Sequence, residues 1–142
     1  TLLALETDVE LYKGGRMPLV DFLNKPKGKD ILVRIWVKID QCKATYLNLR
    51  NSASDYSVLN VAVSKLDDQW TIVVGARPRR ATIASRASAS LSKGSISETE
   101  IEAAAQQAAE ELSFGTNMRG TAKYRKALCK VLVKRAIMEV LA

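Results

Sequence analysis

The side chains here with the widest chemical reach are two thiols, a few serines and two groups of cations. Cys42 and Cys129 stand far apart, each in an apolar or strand-like setting. Two thiolates in a chain without histidine cannot make an ordinary zinc site, and they are no disulfide framework. They read as buried thiols of a reducing compartment. The missing imidazole also removes Ser-His and Cys-His dyads and a proton shuttle at neutral pH. Ser85, Ser88 and Ser90 therefore have no evident base to activate them, and no two carboxylates stand out as an acid–base couple. The glycines at 14, 15, 28, 75, 94, 115 and 120 form neither a GxGxxG pattern nor a GxxxxGK[ST] phosphate loop. These absences argue against catalysis by this chain alone.

The cations are better organised. Lys123, Lys126, Lys130 and Lys134 recur at spacings of three, four and four, which places them on one side of a helix. With Arg77, Arg79 and Arg80 they could track a phosphate backbone. A lysine face without interleaved aromatics serves solvation or subunit contact more often than base stacking. The net charge of +7, from 22 Lys and Arg against 15 Asp and Glu, speaks to non-specific association rather than to fold.

These residues need elements to hold them. A chain of 142 residues, 47% hydrophobic and 26% charged, makes one domain, or one domain and a short appendage. No apolar run approaches the ~18 residues of a membrane span, and no secretory signal pattern opens the sequence. The start, without Met and apolar at once, reads as cut from a longer polypeptide. Residues 1–5 suggest the last turn of a helix, and Asp8–Lys13 a strand. Gly14-Gly15 suggests a two-residue hairpin at positive φ, returning through Arg16–Leu19. Val20–Leu23 reads as one helical turn and 24–29 as a solvated loop. Ile31–Ile39 alternates strongly, so Ile31, Val33, Ile35, Val37 and Ile39 are expected on one buried strand face. Strands follow at Ala44–Arg50, Val58–Val63 and Trp70–Val74, the last two joined tightly through Asp67-Asp68-Gln69.

From residue 83 the period turns helical. Ile83–Leu91 suggests a short helix ending near Gly94. Ser97-Glu98-Thr99-Glu100 has capping-box spacing, and Ile101, Ala105, Ala108 and Leu112 form a stripe behind it. A long helix over about Thr121–Leu141 follows, with Tyr124, Leu128, Val131, Leu132 and Ile137 expected on its inner side. Strands first and helices afterwards give an α+β fold: an antiparallel sheet of three to four strands followed by about three helices.

Several of these segments carry a resemblance. Asp30-Ile-Leu-Val-Arg-Ile-Trp-Val and Tyr46-Leu-Asn-Leu-Arg-Asn-Ser-Ala-Ser-Asp-Tyr-Ser-Val-Leu-Asn-Val-Ala-Val resemble the FAD-binding subunit of the molybdenum hydroxylases, the xanthine dehydrogenase and carbon monoxide dehydrogenase family. Arg119-Gly-Thr-Ala-Lys-Tyr-Arg-Lys-Ala-Leu and Val131-Leu-Val-Lys-Arg-Ala look like the family's C-terminal flavoprotein domain. The resemblance covers nearly the whole chain. Residues 1–39 look like the tail of the FAD-binding domain and 42–142 like the C-terminal flavoprotein domain. The family's glycine-rich pyrophosphate loop and Gly-Gly-Asn segment would lie upstream of Thr1.

What the resemblance implies is electron transfer in the cytoplasm. Electrons would pass from a molybdopterin centre through [2Fe–2S] clusters, both on partner subunits or domains, to FAD; a homodimer is an allowed assembly. By position, Leu32 would pack against the isoalloxazine. Where many members carry a Lys, this sequence has Leu47 and Asn48; Asn48 would offer the flavin a hydrogen bond but no positive charge. Arg77, Arg79, Arg80, Tyr124 and Arg125 match positions expected to serve domain stability or subunit contact. Two competing expectations are a small basic nucleic-acid-binding module and an assembly domain without a cofactor role.

Overall fold

A computed structural model describes residues 1–26, 28–93 and 96–142. Lys27, inside the predicted 24–29 loop, and Gly94, the predicted end of a helix, lie outside the described residues. The fold is α+β with two antiparallel sheets. Sheet A holds β1 (Asp8–Leu11), β2 (Gly15–Pro18) and β3 (Leu32–Trp36) in the order β2-β1-β3. Sheet B holds β4 (Lys43–Leu49), β5 (Leu59–Leu66), β6 (Gln69–Gly75) and β7 (Thr82–Ile83) in sequential order.

The β1–β2 turn differs from the expected one. Leu11 pairs with Gly15, so three residues make the connection, and Gly15 (φ +66°) takes the left-handed conformation that glycine tolerates. The Asp30 carboxylate sets this shape by accepting the N–H groups of Gly14 and Ile31 at 2.8 Å and of Lys13 at 3.1 Å.

The larger correction concerns β3. The predicted 31–39 strand shortens to Leu32–Trp36, and Ile31, Val33, Ile35, Val37 and Ile39 are all exposed. Leu32 and Trp36, on the opposite face, are exposed as well. Alternation reports which side chains share a side, not whether anything covers that side. β3 is an edge strand, and its apolar residues meet solvent on both faces.

Sheet B is the centre of the packing. Val61 opposite Val74 and Val63 opposite Ile72 point to one face. There α2 (Ser85–Leu91), α3 (Glu98–Glu111) and α4 (Ala122–Leu141) bury them in a single core with Ala87, Leu91, Ile101, Ala108, Leu132 and Ile137. The other face presents Ala62 and Val73, covered by Leu3 and Ala4 of the N-terminal turns and by Leu19 and Leu23 of α1 (Leu19–Asn24). The expected β5–β6 hairpin forms through Asp67-Asp68, with Asp67 at φ +50°. β7 was not expected: Ile83 pairs with Val73 instead of entering α2, which starts at Ser85.

Helices α3 and α4 begin as their caps dictate. Ser97 Oγ accepts the Glu100 N–H while Glu100 Oε2 accepts the Ser97 N–H at 2.8 Å, a complete capping box. Thr121 Oγ1 accepts the Tyr124 N–H at 3.1 Å. Along α4 the buried residues are Arg125, Cys129, Leu132, Val133, Ala136, Ile137 and Val140. Tyr124 and Val131, expected inside, are exposed, because the helix is apolar on two sides and the core takes the other one. Among the described residues no helix is long and apolar enough to cross a membrane.

Candidate functional site

Leu32 and Asn48 do not share a sheet. Leu32 opens β3 beside Leu11, past a register shift at Glu10/Leu11, and its side chain is 45% exposed. Asn48 lies on the edge strand β4, directly opposite Asn60, on the face of sheet B away from the helices. Its side-chain oxygen accepts from Arg50 Nε at 2.9 Å, which leaves its amide nitrogen without a partner among the described residues. A half-exposed leucine and a free amide donor fit the edge of a flat, polar-rimmed ring system in chemical type: apolar contact from one, a hydrogen bond to a carbonyl oxygen from the other. The hollow of about 410 Å³ near the start of β3 is lined by Leu11, Phe22, Leu23, Lys25, Asp30 and Arg80, and by neither Leu32 nor Asn48.

Trp36, at the far end of β3, is held by charge. Its indole N–H donates to Glu10 Oε2 at 2.9 Å, Arg16 sits 4.8 Å from the ring centroid, and Arg34 sits 5.6 Å away. Sequence reasoning did not single out this residue, because Glu10, Arg16 and Arg34 come together only through the register that sets them directly opposite one another across the three strands.

The basic residues separate into two roles. Arg77 and Arg125 are buried, and together they hold the segment before α4. Arg125 Nε donates to Val58 O at 2.9 Å, and its other nitrogens donate to Gly115 O, Gly120 O and Asn117 Oδ1. Arg77 donates to Ser113 O and Thr82 Oγ1, and its own carbonyl accepts the Gly115 N–H at 2.8 Å. Burial lowers the pKa of both guanidiniums, reinforced by neighbouring Arg79 and Arg119 respectively. Neither group is available to a ligand. Lys134 bonds Glu102 at 2.6 Å and Glu98 at 3.1 Å, tying α4 to α3. Arg79, Arg80, Lys123, Lys126 and Lys130 remain exposed.

Cys129 is fully buried, and burial pushes its thiol up to about 12. Cys42 is half-buried, its thiol raised by burial and then by Asp40. Both cysteines are free, and no group of three His, Cys, Asp or Glu among the described residues could hold a metal.

The CO dehydrogenase flavoprotein C-terminal domain family matches residues 44–140. No curated protein matches the chain by sequence. Among solved structures, quinoline 2-oxidoreductase from Pseudomonas putida 86 superposes with a TM-score of 0.83 at 22% identity, over 96% of this chain and 53% of that one. Carbon monoxide dehydrogenase from Hydrogenophaga pseudoflava, in a form lacking the Mo-pyranopterin moiety, gives 0.81 at 22% identity, over 95% and 52%. Reconstituted CO dehydrogenase from Oligotropha carboxidovorans gives 0.81 at 18% identity, over 96% and 53%. The chain thus spans about half the length of these structures, and at such identities they share its fold. Since the family match takes in sheet B from the second residue of β4 and runs to within a residue of the end of α4, the chain belongs to the CO dehydrogenase flavoprotein C-terminal domain family.

Proposed function

We propose that this chain is the C-terminal part of the FAD-binding subunit of a xanthine dehydrogenase-like molybdenum hydroxylase. In this reading it shapes one side of the flavin site and docks the subunits or domains that carry molybdopterin and [2Fe–2S] clusters. Residues 1–39 complete an FAD-binding domain, and 42–142 form the C-terminal flavoprotein domain. Leu32 packs against the ring system and Asn48 donates to it from the side. The flavin, when bound, supplies the electron-transfer chemistry, and the protein supplies position and electrostatics.

The observation that carries this reading is β3. A strand with apolar residues on both faces, interrupted only by Arg34, is suited to burial on both faces, and here both are partly open. An edge of this kind is a liability unless the rest of a larger domain covers it. A phosphate-tracking role has less support, since Arg77 is buried and Lys134 is engaged by two glutamates.

The test uses the full flavoprotein subunit. Leu32→Ala and Asn48→Leu are expected to lower FAD content or shift the flavin absorbance, with the unfolding midpoint of the protein portion retained. Full flavin occupancy with an unaltered spectrum in both variants would remove these residues from the site. The present chain alone is expected not to hold FAD tightly, and a purified sample with a stoichiometric yellow flavin spectrum contradicts that.

A further inference from the structure

We propose that the solvent-facing stripe of α4 is a docking surface for a protein partner presenting an apolar strip flanked by carboxylates; the choice of a protein partner rests on the reading above. Tyr124, Ala127, Val131, Met138 and Leu141 follow one another at spacings of three, four, seven and three, which aligns them along one narrow side of the helix. Tyr124 is 49% exposed, Val131 45%, Met138 50% and Leu141 40%. The opposite side of the same helix is already sealed in the core by Cys129, Val133, Ala136 and Val140. A helix that is apolar on both sides is suited to burial on both sides, and the fold supplies cover for one.

Charge selects the occupant. Lys123 and Lys130 border the stripe on one side and Arg135 on the other, all exposed. The helix carries one acid, Glu139, which accepts from Thr45 Oγ1 at 2.7 Å, and Lys134 is neutralised by Glu98 and Glu102. A second copy would bring these three exposed cations against their like, whereas an acidic strip meets opposite charge. Beside Val131 a hollow of about 450 Å³ between α3 and α4, lined by Glu102, Ala105, Gln106, Lys130 and Lys134, gives an incoming side chain a seat. The stripe has no Trp or Phe and is narrow, which suits ridge-into-groove packing with a protein better than insertion into lipid.

The experiment co-expresses the full flavoprotein subunit with the molybdopterin and iron–sulfur subunits and measures partner stoichiometry after purification and flavin content; on the subunit alone it measures the urea midpoint, self-association and sedimentation with phosphatidylserine vesicles. Val131→Glu/Met138→Glu is expected to cut partner retention about tenfold or more with flavin and midpoint unchanged. Lys123→Glu/Lys130→Glu/Arg135→Glu, which leaves the core untouched, is expected to do the same, and wild-type association is expected to weaken with salt. Undiminished partner retention in both variants overturns the proposal while leaving the flavin reading in place; a wild-type subunit without flavin overturns that reading instead. Three other outcomes also overturn it. Loss of a subunit self-association in Val131→Glu/Met138→Glu assigns the stripe to a second copy. A fallen midpoint in that variant assigns it to the subunit's own chain. Wild-type sedimentation with phosphatidylserine vesicles, lost in the charge variant, assigns it to a membrane.

Discussion

Arg125→Met is the sharpest perturbation of this fold. The native guanidinium is fully buried and makes four hydrogen bonds, none of them to a carboxylate. Burial and Arg119 hold its pKa below the ordinary arginine value, so charge desolvation opposes folding here and the hydrogen bonds must offset it. Methionine fills a similar volume and removes every donor. Val58 lies at 0% exposure, so its carbonyl would be left unpaired in the core at about 2–3 kcal/mol. Gly115, Asn117 and Gly120 are half-buried or exposed, so water can reach their oxygens, and each loss there is about 0.5–1 kcal/mol. The sum is about 3.5–6 kcal/mol, and relief of the desolvation penalty brings the expected loss to about 3–4 kcal/mol. That is a large share of the 5–15 kcal/mol typical of a domain. Arg125→Lys keeps the charge but reaches fewer acceptors, and about half the loss is expected. Urea unfolding followed through the buried Trp70 measures both. Hydrogen exchange supplies the local readout: the Gly115 and Gly120 amides, bonded to Arg77 O and Asn117 O, should exchange faster. A loss under about 1 kcal/mol for Arg125→Met, with exchange across 113–121 unchanged, would refute the assignment of Arg125 as the anchor of that segment.

Four further outcomes can be measured on the same protein. Removing the α3 cap with Ser97→Ala is expected to lower stability by about 1 kcal/mol, read as a shift of the urea midpoint at constant slope. The Glu100 carboxyl is held below its usual 4.5 by the Ser97 N–H, and Asp30 below its usual 3.8 by the Lys13 N–H. Their contribution is present above the unfolded values and lost as pH falls through the lower folded ones, so Glu100→Gln and Asp30→Asn should flatten the acid limb of a stability–pH curve. Lys134 runs the other way: bonds to Glu102 and Glu98 raise it above 10.5, so its contribution is full below that value and lost as pH rises through the folded pKa. An unchanged alkaline limb in Lys134→Met would contradict the α3–α4 tie. Cys129, raised to about 12, is a thiolate at only about one part in ten thousand at pH 8, so a thiol reagent should reach it at the unfolding rate and modify Cys42 first.

What the sequence shows depends on what its patterns encode. Local hydrogen bonding is written in short spacings, and so the capping box at Ser97, the Thr121 helix start and the Asp67-Asp68 hairpin were all legible. Periodicity also places β5 and β6, because Val61, Val63, Ile72 and Val74 alternate and are in fact buried. The same alternation in Ile31–Ile39 leads to the wrong burial, since cover depends on segments distant in sequence or on other molecules. Tyr124 and Val131 were misplaced for a related reason: a helix apolar on two sides does not say which side the core takes. Arg125 is the converse case. An arginine in a basic helix reads as solvated, and only the approach of the Val58, Gly115 and Gly120 carbonyls makes its burial affordable. Leu32 and Asn48 came from resemblance alone, and the fold places them on different sheets.

The joint between the two sheets matters for how the family-matched part works. Sheet B is apolar on both faces, so the helices alone would leave Ala62 and Val73 in water. Leu3, Ala4, Leu19 and Leu23 close that second face, and Ser64 Oγ donates to Ala4 O while an Arg80 nitrogen donates to Leu23 O. Sheet A is therefore carried on the back of sheet B through residues 1–24, and Lys38, just past β3, lies 3.6 Å from Glu6 as an exposed ion pair. The consequence is directional. Whatever covers β3 is positioned against residues 1–24, which rest on the Ala62 and Val73 face of sheet B. The α4 stripe lies on the helical side of the same sheet, away from the layer that carries β3. Two apolar surfaces of different chemistry, one a strand edge beside Leu32 and one a cation-flanked helix, thus lie on opposite sides of sheet B. In the proposed reading, that arrangement lets one piece register one neighbour against another.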